Sequence, residues 1–235
     1  NSLHDAYKSI LEALIHAGVE NISKINIKWI DTERLEKNKE KVHEFFNDIH
    51  GVIIPGGFGD RGIEGKILSS QFARENNIPF LGICLGLQCA IIDYARNICE
   101  MKNANSTEFK LRTKYPVIAL MDGQRGVNKK GATMRLGSYN CKVKRNTNGF
   151  RAYGTSSIHE RHRHRYEVNN KYIEKFEKSG LIISGKDQKL NLVEMIEIKN
   201  HPWFVGVQFH PELKSRVVKA HPLFRDFIAA AIENK

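Results

Sequence analysis

A cysteine bracketed by glycines, Gly82-Ile83-Cys84-Leu85-Gly86, stands between a short apolar run and a helical pattern. With serine at its centre this spacing is a nucleophile elbow, a sharp strand-to-helix turn that lifts the side chain off the sheet edge. The same physics serves a thiol. A helix N-terminus favours thiolate over thiol, and the thiolate is the nucleophile. The backbone N–H of Leu85 would face the oxygen of an attacked carbonyl, and Gly57, at the tip of the neighbouring strand, could supply a second donor. The opposing reading makes Cys84 a small buried hydrophobe. That reading is adopted for Cys89, Cys99 and Cys141, none of which has an elbow around it.

A nucleophilic cysteine needs a base, and the base needs an orienting group. Both stand far downstream in Gln208-Phe-His210-Pro211-Glu212. Pro211 disfavours helix at His210 and keeps it extended, and in an extended chain residues two apart point the same way. Glu212 can therefore accept a hydrogen bond from His210 and set its tautomer. The chain order Cys, His, Glu suits amide or ester cleavage through a covalent intermediate.

Three other patterns carry rival chemistry. Gly57-Phe-Gly-Asp-Arg-Gly62 fits the dinucleotide fingerprint, but the following strand ends at Cys84 with no acid to hold a ribose hydroxyl. Its glycines serve a tight turn, or present backbone N–H groups to an anion. Gly180 to Lys186 nearly matches a phosphate-binding loop, yet Asp187 stands where Ser or Thr should hold magnesium. His159, His162 and His164 alternate with Arg161, Arg163 and Arg165; their spacing misses H-E-x-x-H and no carboxylate cluster completes a metal site.

The elements that must hold these residues alternate between helix and strand. Helices are expected over His4–Ala17, Arg34–Asn47, Glu64–Asn76, Leu85–Ile98 and Pro222–Glu233. Strands are expected over Lys24–Ile30, Gly51–Pro55, Ile78–Ile83, Pro116–Met121, Cys141–Lys144, Leu181–Ser184, Leu190–Ile198 and Trp203–Phe209. This alternation argues for one α/β domain over residues 1–235 with a mainly parallel central sheet flanked by helices, and the second half adds further strands. Such a sheet normally opens on a strand, so a strand is expected to be missing before Asp5.

Composition narrows the class. The chain has 235 residues, 41% hydrophobic and 27% charged, too apolar for a disordered chain. No apolar run approaches the roughly 18 to 20 residues that span a bilayer, and the first residues lack a signal-peptide pattern. Four cysteines without a C-x-x-C pair form no disulfide framework, which favours a reducing cytoplasm. The net charge of +11 points to an anionic partner without identifying it.

Together these segments resemble the class I glutamine amidotransferases, and in particular the glutaminase domains of the CTP synthase family. Nearly the full length takes part: Asp5 to Ala13, Pro55 to Gly62, Gly82 to Gln88, Asn103 to Glu108, Thr133 to Gly137, Arg161 to Asn169 and Gln208 to Glu212. The elbow and His-Pro-Glu are shared by class I amidotransferases, whereas Asn103 to Glu108 and Arg161 to Asn169 are particular to the CTP synthase type. The resemblance implies a flavodoxin-like fold. It implies Cys84 as nucleophile, His210 as general acid and base, Glu212 as its partner, and Gly57 and Leu85 as oxyanion donors. It also implies that Phe58, Gln88, Glu108 and Arg165 bind L-glutamine; Glu108 suits the α-ammonium and Arg165 the α-carboxylate.

The implied reaction releases ammonia and leaves a γ-glutamyl thioester for hydrolysis. Ammonia would pass to an N-terminal synthase domain of the same polypeptide, absent from this chain, where ATP and Mg²⁺ support amination of UTP to CTP and GTP is the allosteric activator. The full-length enzyme is implied to be a homotetramer, and this domain to need no cofactor or metal. Ala132 replaces a usual glycine and Leu213 a usual aromatic, and the glycine-rich segment 123–131 is short. Two alternatives remain. A γ-glutamyl hydrolase-like enzyme would keep Cys84 and His210 without needing Glu108 and Arg165, and a basic nucleic-acid-binding module would bind with steep salt dependence. No aromatic platform is interleaved with the basic run, so neither nucleic acid nor membrane is expected as a partner.

Overall fold

The structure is a computed structural model that describes residues 7–120 and 134–235. Helix α1 (Lys8–Glu20) is followed by two short helices, α2 (Thr32–Lys37) and α3 (Val42–Phe45). Next come β1 (Val52–Ile54), α4 (Ile63–Glu75), β2 (Phe80–Ile83) and α5 (Leu85–Asn97). The middle of the chain forms β3 (Ala104–Ser106), β4 (Tyr115–Leu120), β5 (Arg135–Val143), α6 (Asn148–Tyr153), β6 (Ser157–His164) and β7 (Tyr166–Val168). The remainder is α7 (Ile173–Lys178), β8 (Leu181–Asp187), β9 (Leu192–Ile198), β10 (Phe204–Val207) and α8 (Pro222–Glu233).

The main sheet has seven strands in the order β1-β2-β10-β9-β8-β5-β6, and β3-β4-β7 form a smaller one. Parallel pairing in the main sheet joins β1, β2 and β10, with Ile54 opposite Gly82 and Gly82 opposite Gly206. From β10 outward the strands run antiparallel to β6. The α/β architecture is as expected, but the main sheet is parallel only at β1, β2 and β10, the part that carries the elbow, and its other four pairings are antiparallel.

Both faces of β2 and β10 are buried, which is why they read as continuous apolar runs. Phe80 and Phe204 stack at 4.3 Å on one face, in the core shared with Leu87 and Ile91 of α5. Leu81, Ile83, Val205 and Val207 face the other way, into a core closed by Leu14 of α1 and Leu223, Phe224 and Phe227 of α8.

Several expectations need correction. Residues 24–30 are not a strand: the alternation is present, but the segment makes no ladder with a neighbour. The helix expected over Arg34–Asn47 is broken at Asn38, whose φ of −131° is not helical, and continues as a 3₁₀ turn (Lys39–Lys41) and α3. Strand β5 begins six residues earlier than expected, at Arg135, because β6, unanticipated, pairs with it along its length. In β6 residues alternate between exposed and buried, but three of the four buried ones, Glu160, His162 and His164, are polar, so the hydropathy pattern conceals the strand. Strands β3 and β7 were also unanticipated. Gly180 to Lys186 forms the turn into β8 and most of that strand, not a phosphate loop before a helix. The strand expected before Asp5, residue Met121, the segment 123–131 and Ala132 lie outside the described residues.

Candidate active site

The chain turns from β2 into α5 at Cys84, which adopts φ 52° and ψ −99°. A positive φ strains a residue with a Cβ and persists only where its surroundings enforce it. Here the Cys84 N–H donates to the Val207 carbonyl at 2.7 Å, tying the corner to β10. The flanking glycines let the backbones meet: a Cβ on Gly86 would lie 2.2 Å from the Ile54 carbonyl oxygen, and one on Gly82 would lie 2.8 Å from Gly86. The elbow spacing is thus a packing requirement between β1, β2 and α5.

His210 follows β10 in an extended conformation, and Pro211–Lys214 then make a single 3₁₀ turn. Its N–H donates to the Arg161 carbonyl at 2.8 Å, so β6 fixes its height beside the sheet. Its ring Nδ1 meets Glu212 Oε1 at 2.6 Å; the expected contact is made, but through the 3₁₀ turn that holds Glu212 and not through an extended run. Nε2 is buried without a hydrogen-bond partner, and Cys84 is its neighbour: a Cβ on Gly56 would lie 2.7 Å from His210 Cε1 and 3.5 Å from Cys84 Cβ. Burial pulls the imidazole pKa down, but hydrogen bonding to Cys84 and Glu212 outweighs it and pushes the ring up to about 10. Burial is the main cause that pushes the Cys89 thiol up to about 12 and raises Cys99 and Cys141 as well.

Gly57 and Leu85 lie side by side, with a Cβ on Gly57 reaching within 3.2 Å of Leu85 Cδ2. Phe58 is half exposed, and the Arg163 guanidinium sits 5.9 Å from its ring centre. Glu108 accepts a long hydrogen bond from the Gly59 N–H, 3.4 Å away. Burial raises its pKa, against the opposing pull of that N–H and of Arg165. Arg165 occupies the turn between β6 and β7, and its buried Nε has no partner. A brace spans that turn: His164 Nε2 meets Glu167 Oε1 at 2.8 Å, and Arg135 Nη1 holds the same oxygen at 3.1 Å. Gln88 Nε2 donates to the Tyr166 carbonyl at 3.1 Å and to Gln208 Oε1 at 3.3 Å.

The structure therefore brings Cys84, His210 and Glu212 into one cluster, sets Gly57 against Leu85, and places Glu108 and Arg165 in electrostatic contact. Among the described residues no group of three or more His, Cys, Asp or Glu is arranged to hold a metal. His162 and His164 are instead paired with Glu194 and Glu167. Sequence reasoning overlooked Gln208, whose Nε2 reaches the Cys84 sulfur at 3.6 Å. Nothing local to Gln208 signals that contact, which joins residues 124 apart in the sequence. Gly56 was overlooked too; a Cβ there would lie 2.7 Å from His210 Cε1 and 3.5 Å from Cys84 Cβ.

The chain has counterparts among known proteins. The sequence matches the glutamine amidotransferase class-I family over residues 2–230. The chain belongs to that family. Within this amidotransferase family, it is 56% identical over 233 residues to a CTP synthase of Clostridium kluyveri, covering 99% of this chain and 43% of that protein. A CTP synthase of Chloroherpeton thalassium is 59% identical over 227 residues, 97% of this chain and 41% of that protein. This amidotransferase chain thus spans under half the length of these relatives. The glutaminase domain of Trypanosoma brucei CTPS with bound acivicin superposes with a TM-score of 0.92 at 36% identity, covering 98% of this chain and 89% of that one. A putative GMP synthase component from Thermoplasma acidophilum shares the fold, with a TM-score of 0.54 at 18% identity over 90% of this chain and 81% of that one.

Proposed function

We propose that residues 1–235 form one glutaminase domain that hydrolyses the side-chain amide of L-glutamine through a Cys84 thioester. The observation that carries this reading is the His210 ring, held by Glu212 at Nδ1, with its other nitrogen buried and unpartnered and Cys84 beside it across Gly56. The Cys84 thiolate attacks the amide carbon, and the oxygen that becomes negative is received by the N–H groups of Gly57 and Leu85. Donors of this kind contribute about 3 kcal/mol each in the transition state. The imidazolium of His210 gives its proton to the departing nitrogen, ammonia leaves, and a γ-glutamyl thioester remains. A water then attacks the thioester, His210 takes its proton, and the carbon–sulfur bond breaks to release glutamate and restore the thiolate. Glu108 takes the α-ammonium, Arg165 the α-carboxylate, and Phe58 and Gln88 line the same end.

In the complete protein the ammonia passes to a synthase portion of the same polypeptide and aminates UTP to CTP. The support is the CTP synthase relatives, of whose length this chain covers 43% and 41%. In this reading ATP and Mg²⁺ act on that portion, GTP activates it, and the assembly is a cytoplasmic homotetramer. The four cysteines, all free and buried, fit a reducing compartment.

The test separates the chemistry from the grip on substrate. Glu108→Ala and Arg165→Ala are expected to raise the glutamine KM by about 10- to 100-fold each, as loss of a charge-assisted contact does. Alkylation of Cys84 by iodoacetamide should persist in both. An unchanged KM defeats the assignment, and so does persistent glutamine hydrolysis in Cys84→Ser.

A further inference from the structure

Gln208 makes a contact that none of these steps uses. It follows directly on β10, is fully buried, and its Nε2 lies 3.6 Å from the Cys84 sulfur. Its backbone N–H donates to the Glu194 carbonyl at 2.9 Å, so β9 sets its position. Its Oε1 accepts from Gln88 Nε2 at 3.3 Å, and that nitrogen also donates to the Tyr166 carbonyl at 3.1 Å.

The direction of this chain is dictated from one end. A glutamine can present either its oxygen or its NH₂ group, and the partners decide which. The Tyr166 carbonyl only accepts, so Gln88 must turn its NH₂ group there. The same NH₂ group faces Gln208, which must answer with its oxygen. Only the NH₂ of Gln208 is then left for the sulfur. The reverse arrangement would set two NH₂ groups against each other in a buried site and aim a carbonyl oxygen at the thiolate. Both N–H bonds of Gln88 are engaged, so its free atom is an oxygen, which suits an ammonium and not a carboxylate.

We infer that Gln208 is a further residue of the reaction, donating a hydrogen bond that holds the Cys84 sulfur as a thiolate, with Gln88 as its anchor. The role rests on the amidotransferase reading for its place in catalysis. A donor bonded to the charged form of an acid favours that form. The bond acts on the attacking thiolate and again when sulfur leaves the acyl carbon; in the thioester between, sulfur carries no charge and the bond weakens. The titratable groups around this corner are His210 with Glu212, and His162 of β6, which lies against Phe209 and feels the His210 charge. Gln208 is neutral and adds its effect to theirs at every pH.

The rate of Cys84 alkylation by iodoacetamide as a function of pH reads the thiolate directly, with Cys84→Ser as the blank. Gln208→Met is expected to move the midpoint up by about one unit, which slows alkylation about tenfold at pH values below both midpoints. Gln208→Glu, which keeps the shape but offers oxygen to the sulfur, should move it the same way. Should Gln208→Met not fold, Gln208→Asn withdraws the NH₂ group by one methylene and gives the same reading. A folded variant whose profile overlays that of the unmodified protein overturns the role. Alkylation needs no glutamine turnover, so the two readings fail separately. An unshifted profile in a protein that hydrolyses glutamine removes the Gln208 role alone; a shifted profile in one that does not removes the activity alone.

Discussion

At the residue scale, Gly56 shows how little room the cluster has. The place of its missing Cβ is bounded by His210 Cε1 at 2.7 Å and Cys84 Cβ at 3.5 Å. Gly56→Ala would therefore push the imidazole, the softer of the two neighbours, away from its position between sulfur and Glu212. A displacement of about 1 Å costs on the order of 100-fold in rate. Gly56→Ala is accordingly expected to lose about that much kcat with little change in melting temperature, as steady-state glutamine hydrolysis and calorimetry would show. The loss should fall on kcat more than on KM, because the groups proposed to grip the amino-acid end, Glu108 and Arg165, do not touch Gly56.

At the scale of elements, β6 is unusual in turning charged groups inward. Glu160, His162 and His164 are all under 4% exposed. Glu160 is held by His221 and Lys214, whereas His162 and His164 meet a second set of buried ionisable groups on other strands, Glu194 of β9 and Glu167 of β7, which Arg135 of β5 ties to each other and to Asp187 of β8. Apolar residues of the same volume would often be as stable as a buried ionic cluster, so its presence asks for a purpose. The geometry supplies one, since His164 and Glu167 brace the turn that carries Arg165. Breaking such a pair by neutralising one member costs about 3 kcal/mol. Glu167→Gln is expected to lose about that much stability in urea denaturation and to raise the glutamine KM several-fold. Its Cys84 alkylation profile should match that of the unaltered protein, which would separate it from a Gln208 variant.

Taken as a whole, the molecule buries groups whose titration runs against stability at alkaline pH. Burial raises Glu194 from its ordinary value to about 8, and His210 stands at about 10. In both cases the folded state holds its proton after the unfolded chain has released it, so stability falls as pH rises through each window. For Glu194 that window runs from about 4.5 to about 8; for His210 it runs from about 6.5 to about 10. His162 behaves oppositely: burial lowers it to about 2, so its contribution is lost as pH falls below about 6.5. Melting temperature should therefore decline from about pH 6.5 upward, with the steepest fall where the windows of Glu194 and His210 overlap. Glu194→Gln removes one of the two and should flatten the decline between about pH 6.5 and 8 in a thermal scan, whatever it does to absolute stability. A slope equal to that of the unaltered protein would show that Glu194 is ionised in the fold.

The amino-acid sequence by itself determined what depends on neighbours in the chain. The corner at Cys84 needs only a strand, two glycines and a helix in succession, and His210 and Glu212 are close in the chain across a single proline, although a 3₁₀ turn and not an extended run brings them together. Helix α8 over Pro222–Glu233 is legible for the same reason: its apolar stripe and its start at proline are local signals. Folding alone decided the rest. Strand β6 pairs along β5 through a ladder from Ser157 to His164, and its inward face is polar because distant ionisable groups meet it there, among them Glu194, Glu167 and His221. Residues 24–30 alternate as a strand would, yet make no ladder, because a strand exists only beside another. Gln208 and Cys84 are 124 residues apart, and nothing in either neighbourhood announces the contact. Periodicity reports how a segment meets its immediate surroundings; which distant segment becomes those surroundings is set by burial and hydrogen bonding across the whole chain.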